Sequence, residues 1–343
     1  MQERMSDVAL ATNDRANGRS SRMRGTVGAI RAWFRRAATE HVCPPPAAPL
    51  GPTPNRGVQR PLGLWWDGSE GQGPSAFARR ALLATPALLL ARPAAAVTLT
   101  ERGLTQGGFV IGQAAPGTRV SLDGRALRVT LQGAFAFGFS RDQGPRAALT
   151  IIHPDNRREE RRLTVAHRQW QEQRINGLPP AQVTPDPETL QRILREREKL
   201  AAVRAVDSPL TGFTEGFIAP AQGRISGVYG SRRILNGQPR QPHYGLDFAV
   251  PTGTPLKAVA PGRVTLADSF HFFGNLVVID HGHGVNSLYA HLSAFDVREG
   301  QMVTKGEPVA RSGATGRVTG PHLHFSFSWF ETFLDPQPVV LGA

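Results

Sequence analysis

Gly320-Pro321-His322-Leu323-His324-Phe325, in a run that continues through Phe327, alternates polar and apolar positions. Alternation of period two is a strand signal, and on a strand both imidazoles share one face while Leu323 and Phe325 take the other. A strand holds two rings together without ordering a loop, so one can bind a metal while its neighbour handles protons. Pro242-His243-Tyr244-Gly245-Leu246-Asp247 supplies what a lone pair lacks, a further ring nitrogen and a carboxylate oxygen. Two histidines and one carboxylate, with a fourth position left for water, form a ligand set of catalytic zinc. Four residues of extended strand span roughly 13 Å, whereas zinc ligands lie about 2 Å from the metal. His243 and Asp247 therefore converge only if the chain turns between them. Pro242 and Gly245 disfavour a helical turn, and Leu246-Phe248-Val250 alternates, so a bend at Gly245 is expected.

The surrounding residues, 210–338, are β-rich and studded with glycine. Residues 256–267, 276–280 and 287–290 are apolar or alternating and are separated by turn residues. Gly300-Gln301-Met302-Val303 and Gly306-Glu307-Pro308-Val309-Ala310 add short strands, and no long helical period interrupts them. Seven of the ten histidines lie between His243 and His324. The second His-x-His pattern, His281-Gly282-His283-Gly284, is flanked by glycines and suits a turn, which leaves the 322/324 pair as the strand pair.

Upstream, residues 97–166 show short strands and turns. Arg119-Val120-Ser121-Leu122, Asp123-Gly124 and Ala126-Leu127-Arg128-Val129 form a hairpin signal, and Ala134-Phe135-Ala136-Phe137 and Leu149-Thr150-Ile151-Ile152 continue it. The reading is a small β-sandwich, immunoglobulin-like, that spaces or docks the following part; His153 and His167 in and after it read as surface residues. Residues 167–209 are a linker. Asp186-Pro187-Glu188 is an N-cap with proline at the first helical position, and Leu190, Ile193, Leu194 and Ala201 repeat at helical spacing, so a connector helix is expected over about 187–205. The expected fold class is mainly β: a small β-sandwich, a connector helix, then an antiparallel β-sheet folded as a barrel or sandwich.

Residues 1–73 are rich in Arg, Pro, Gly and Ala without a usable apolar period and read as disordered or as a leader upstream of the true start. Residues 74–96 have the layout of a secretory signal. Ala78-Arg79-Arg80 precedes the apolar run 81–91, and Arg92-Pro93-Ala94-Ala95-Ala96 ends in small residues. That run is too short to span a bilayer, which needs about 20 apolar residues, and the expected location is periplasmic or secreted.

The length of 343 residues allows two domains with real cores, and 40% hydrophobic residues is ordinary for a globular protein. The net charge is +13, yet Lys199, Lys257 and Lys305 are the only lysines. Nucleic-acid binding calls for a basic stripe with interleaved aromatics, and the sequence has none, so no nucleic-acid partner is expected. The excess suits an anionic wall or membrane surface. Cys43, the single cysteine, follows Glu40-His41-Val42 rather than an apolar segment, and it forms no disulfide within one chain.

His243-Tyr244-Gly245-Leu246-Asp247, Tyr289-Ala290-His291-Leu292 and Gly320-Pro321-His322-Leu323-His324 resemble, in order, the signature of the lysostaphin/LytM-type zinc endopeptidases of peptidoglycan. Pro251-Thr252-Gly253-Thr254-Pro255, Gly274-Asn275 and Gly313-Ala314-Thr315-Gly316 extend the resemblance, which covers about residues 217–338. It implies one Zn²⁺ per chain held by His243, Asp247 and His324, with His322 as general base. His291, when protonated, is implied to offset charge on the intermediate. Arg232 or Arg233 lies where this family often shows an arginine upstream of the first ligand, and is a candidate for holding a substrate carboxylate. The implied partner is peptidoglycan, with D-alanyl–diaminopimelate crosslinks as the expected target. Some members of the family have lost the metal site and regulate wall amidases instead, but here all five positions are occupied.

Overall fold

The structure is a computed structural model that describes residues 96–176, 186–239 and 241–342. The expected leader over 1–73, and the expected signal over 74–96 apart from its last residue, lie outside the described residues.

Two antiparallel sheets make up residues 97–166. Thr98–Leu99, Phe109–Gln113 and Ala134–Gly138 form one; Arg125–Leu127, Arg119–Leu122, Arg146–Ile152 and Arg158–Thr164, in that order, form the other. The hairpin turns at Asp123 and Gly124, both left-handed with φ 46° and 83°, as a two-residue type I′ connection requires. Alternation along these strands buries Val110, Phe135, Phe137, Leu149 and Ile151 completely. His167 is exposed as expected, but His153 is not. It is buried, with Nε2 3.0 Å from Glu159 and Nδ1 without a hydrogen-bond partner among the described residues.

The connector is α1, Pro187–Arg204, and Asp186 caps it by accepting the Thr189 N–H at 2.8 Å. Its buried residues are Ile193, Leu200 and Arg204, whereas Leu190 and Leu194 are exposed. The helix meets its neighbour along one narrow line, and only part of the apolar stripe reaches it.

Eight of the remaining strands build one large antiparallel sheet, and the others form two small three-stranded sheets, in one of which Glu172–Ile175 of the linker pairs with Arg232–Leu235. The eight are β1 (Arg224–Gly227), β2 (Leu246–Ala249), β3 (Gly262–Phe270), β4 (Gly274–Gly282), β5 (Val285–Leu292), β6 (Met302–Val303), β7 (Leu323–Trp329) and β8 (Thr332–Leu334). Their order is β6-β3-β4-β5-β7-β2-β1, with β8 also paired to β7. β4 and β5 are buried on both faces. Val277, Ile279, Val285 and Tyr289 point into the main core, while Leu276, Val278, Leu288 and Ala290 join Leu266, Phe270 and Leu200 of α1 on the other side. A helix laid over one face thus explains why these strands read as continuous apolar runs.

The sandwich does not keep a core to itself. Phe109 meets Phe327 of β7 edge-to-face at 5.1 Å and Phe217 at 5.9 Å. Val110, Phe137, Leu149, Leu246, Tyr289 and Phe327 belong to one contiguous apolar cluster.

Candidate metal centre

Register brings the site together. β2 and β7 are antiparallel neighbours with Asp247 directly opposite His324, so the two side chains leave the sheet on the same face. His324 Nδ1 lies 2.8 Å from Asp247 Oδ1. The chain ahead of β2 is irregular through His243 and bends at Gly245, as the spacing required. That bend folds His243 back over the strand, placing its Nε2 3.1 Å from Asp247 Oδ1 and 3.0 Å from His324 Nδ1. All three side chains are buried.

The outer nitrogens decide what the inner ones carry. His243 Nδ1 is 3.0 Å from the Val228 carbonyl, which can only accept, so this nitrogen holds the proton. Ser326 Oγ donates to the Tyr244 carbonyl at 2.6 Å and therefore accepts from His324 Nε2–H at 2.9 Å. In the neutral rings, His243 Nε2 and His324 Nδ1 are then lone pairs, aimed with the Asp247 oxygen at one point. Three converging lone pairs repel unless each ring gains a second proton or a cation sits among them. Burial pushes the Asp247 carboxyl up, but hydrogen bonds from His243 and His324, once those rings carry the second proton, outweigh it and hold the group well below the usual carboxylate range. The ligand atoms are 2.8–3.1 Å apart. A tetrahedral zinc with ligands at about 2.0–2.1 Å separates them by about 3.3 Å, a change of a few tenths of an ångström. The donor set fits a divalent cation.

Two glycines make room for it. A Cβ on Gly227 of β1 would overlap the Asp247 carboxylate, and one on Gly245 would overlap the His324 ring. Neither glycine has positive φ, so space rather than backbone freedom demands the residue.

His291 and His322 stand beside this group. His291, the last but one residue of β5, has left-handed backbone at φ 64°, with its ring centroid 4.8 Å from that of His322 and 5.9 Å from that of His324. Its Nδ1–H donates to the Thr315 carbonyl at 2.8 Å, and the Thr315 hydroxyl in turn is fixed by the Leu292 carbonyl and the Asn275 N–H. His322 Nδ1–H donates to the Gly320 carbonyl at 2.9 Å. Among the described residues no protein group bonds either Nε2. Burial, then the adjacent His324 and His322, pushes His291 down to about 3, so the ring is neutral at rest.

Arg232 is exposed on the strand Arg232–Leu235, and no described contact joins it to His243, Asp247 or His324; the Arg233 side chain lies outside the described residues. His281 and His283 take no part. His281 is held by Pro261 and Ser287, and His283 occupies the two-residue turn between β4 and β5, packed on Phe213. Sequence reasoning missed Val228, whose contribution is a backbone carbonyl. It also missed Ser326, although the alternation after His324 places it on the same face.

The family model that matches residues 241–336 is described as peptidase family M23. A Pseudomonas aeruginosa crystal structure assigned to peptidase M23 superposes at a TM-score of 0.55 with 30% identity, covering 71% of this chain and 99% of that one. The chain belongs to peptidase family M23. Among curated relatives, the Vibrio cholerae peptidoglycan DD-endopeptidase ShyA is 45% identical over 103 residues, 30% of this chain and 24% of that protein. Lysostaphin of Staphylococcus staphylolyticus is 40% identical over 108 residues, 29% of this chain and 22% of lysostaphin. The chain thus spans about a quarter of the length of these curated relatives. Because 71% of the chain follows the Pseudomonas structure, the M23 likeness reaches well outside residues 241–336.

Proposed function

We propose that this chain is a zinc-dependent endopeptidase that hydrolyses peptide crosslinks of bacterial peptidoglycan in a periplasmic or secreted setting. The observation that carries the reading is the convergence of two imidazole lone pairs and one carboxylate oxygen in a buried cradle kept open by Gly227 and Gly245. His243, Asp247 and His324 would hold one Zn²⁺. Zinc, when bound, brings the pKa of a water toward about 7 and withdraws electrons from a carbonyl. His322, with its Nδ1–H held by Gly320, offers Nε2 to take the proton and to pass it to the leaving amine. His291 rests neutral and offsets the oxyanion only after it gains a proton during turnover. Arg232 is the proposed contact for a substrate carboxylate. The DD-endopeptidase name of ShyA supports D-alanyl–diaminopimelate crosslinks as the target.

The test uses the full chain on peptidoglycan sacculi. It should bind about one zinc and release new amine termini, identified by mass spectrometry, and a chelator should abolish release. His322→Ala should keep the zinc and lose about 10²–10⁴-fold in turnover. Zinc binding without cleavage of several wall types would favour an amidase-regulating protein on the same fold.

A further inference from the structure

His243 takes its orientation from residues 228–231, and the sandwich domain grips those residues. The Val228 carbonyl receives both His243 Nδ1–H and, at 2.8 Å, the Ser231 hydroxyl. Gly230 N–H donates to the His243 carbonyl at 2.8 Å, and His243 N–H donates to the Ser231 carbonyl at 2.9 Å. The loop thus fixes the backbone of His243 on both sides and its ring from below.

This loop is not held by the large sheet alone. Arg141, in the loop after the sandwich strand Ala134–Gly138, is nine-tenths buried and donates its Nε–H to the Gly230 carbonyl at 2.8 Å. Trp170, in the linker, lies so flat on Gly230 that any Cβ there would overlap its indole; Gly230 is left-handed at φ 82° besides. Trp170 also meets Tyr229 edge-to-face at 5.7 Å, and the guanidinium groups of Arg141 and Arg168 lie over its ring at 5.0 and 4.6 Å. Tyr229 closes the loop by donating to the Phe333 carbonyl at 2.8 Å. The next residue along, Arg232, donates its N–H to Gln171 at 2.7 Å, so the linker backbone is tied on as well.

We infer that Arg141 and Trp170 are positioning residues of the metal centre: the sandwich domain and the linker after it set the 228–231 loop, and the loop sets the tautomer and aim of His243. A ligand imidazole is held by its outer hydrogen bond, and loss of such support typically weakens metal binding by 10–100-fold. Arg141 and Trp170 support the Val228 carbonyl at one remove, so the expected loss is at the lower end of that range. The inference rests on His243 being a ligand, as proposed above.

The experiment titrates the full-length chain with zinc and, separately, with cobalt(II), whose visible spectrum reports ligand geometry. Arg141→Ala and Trp170→Ala should each bind zinc about ten-fold more weakly, with an altered cobalt spectrum and a far-ultraviolet circular dichroism spectrum like wild type. Arg161→Ala is the control: Arg161 belongs to the four-stranded sheet and bonds Glu159, and its loss should leave both metal readouts unchanged. Wild-type affinity and spectrum in Arg141→Ala and Trp170→Ala would overturn the inference. So would an equal loss in Arg161→Ala, which would mark a general effect of domain stability. Should Arg141→Ala fail to fold, Trp170→Ala decides alone, since that indole is half-buried and outside the apolar core. A wild-type chain that binds no zinc would sink the functional proposal instead.

Discussion

His281 is fully buried, donates Nδ1–H to the Pro261 carbonyl at 2.8 Å and faces the Ser287 hydroxyl at 2.8 Å through Nε2. Burial pushes its pKa from 6.5 down to about 4. Between those values the unfolded chain binds a proton that the folded chain refuses. Stability contributed by the neutral ring is therefore complete above about pH 6.5 and lost as pH falls toward about 4. At about 1.4 kcal/mol per unit, the whole window is worth on the order of 3 kcal/mol. Urea denaturation at a series of pH values should show this decline. His281→Gln, which does not titrate, should start less stable and decline less steeply by about one proton. An unchanged slope in that variant would place the titrating group elsewhere. The sequence showed His281 and His283 only as a glycine-flanked pair. Their different fates, one a strand residue locked by two bonds and the other a turn residue against Phe213, depend on neighbours far along the chain.

At the scale of elements, the site is a consequence of strand pairing plus one bend. β7 was legible because His322, Leu323, His324 and Phe325 alternate, and the bend was legible because His243 and Asp247 are too far apart on a straight strand. The register that sets Asp247 against His324 was not, since pairing of β2 with β7 joins segments 77 residues apart. Nor was Val228, because a carbonyl leaves no trace in residue type. Gly227 shows what the pairing demands. It lies opposite Asp247 in β1, has ordinary strand backbone, and leaves no space for a methyl group. Alanine normally suits a strand interior better than glycine. Here Gly227→Ala and Gly245→Ala should instead displace Asp247 and His324 and lose most zinc binding while the sheet still forms. Gly320→Ala, with nothing near its Cβ, should leave zinc binding intact. Elemental analysis after dialysis against a weak chelator distinguishes them; full zinc content in Gly227→Ala would show that the cradle has slack.

The whole molecule departs most from its sequence reading in the way its parts join. Composition and turn spacing separated a β-sandwich over 97–166 from a sheet beginning near 210, and strand alternation found the buried face of each. Alternation does not say which sheet a buried face will meet. Phe109, Phe217 and Phe327 meet across the two parts, Leu334 fills the space over Gly138, and a single apolar cluster runs from Val97 to Val340. Separating the parts would expose those rings, at an energetic cost that favours joint unfolding. Calorimetry should therefore show one transition covering both. Zinc offers a sharper check, because a ligand that binds only the folded state stabilises whatever unfolds with its site, by about 2.7 kcal/mol at 100 times its Kd. At that concentration hydrogen exchange should slow at Phe135 and Phe137 of the sandwich as well as at Leu323 and Phe325 of β7, by about 100-fold where exchange requires global opening. Slowing confined to β7 would mean that the sandwich opens independently, despite the apolar cluster it shares with the large sheet.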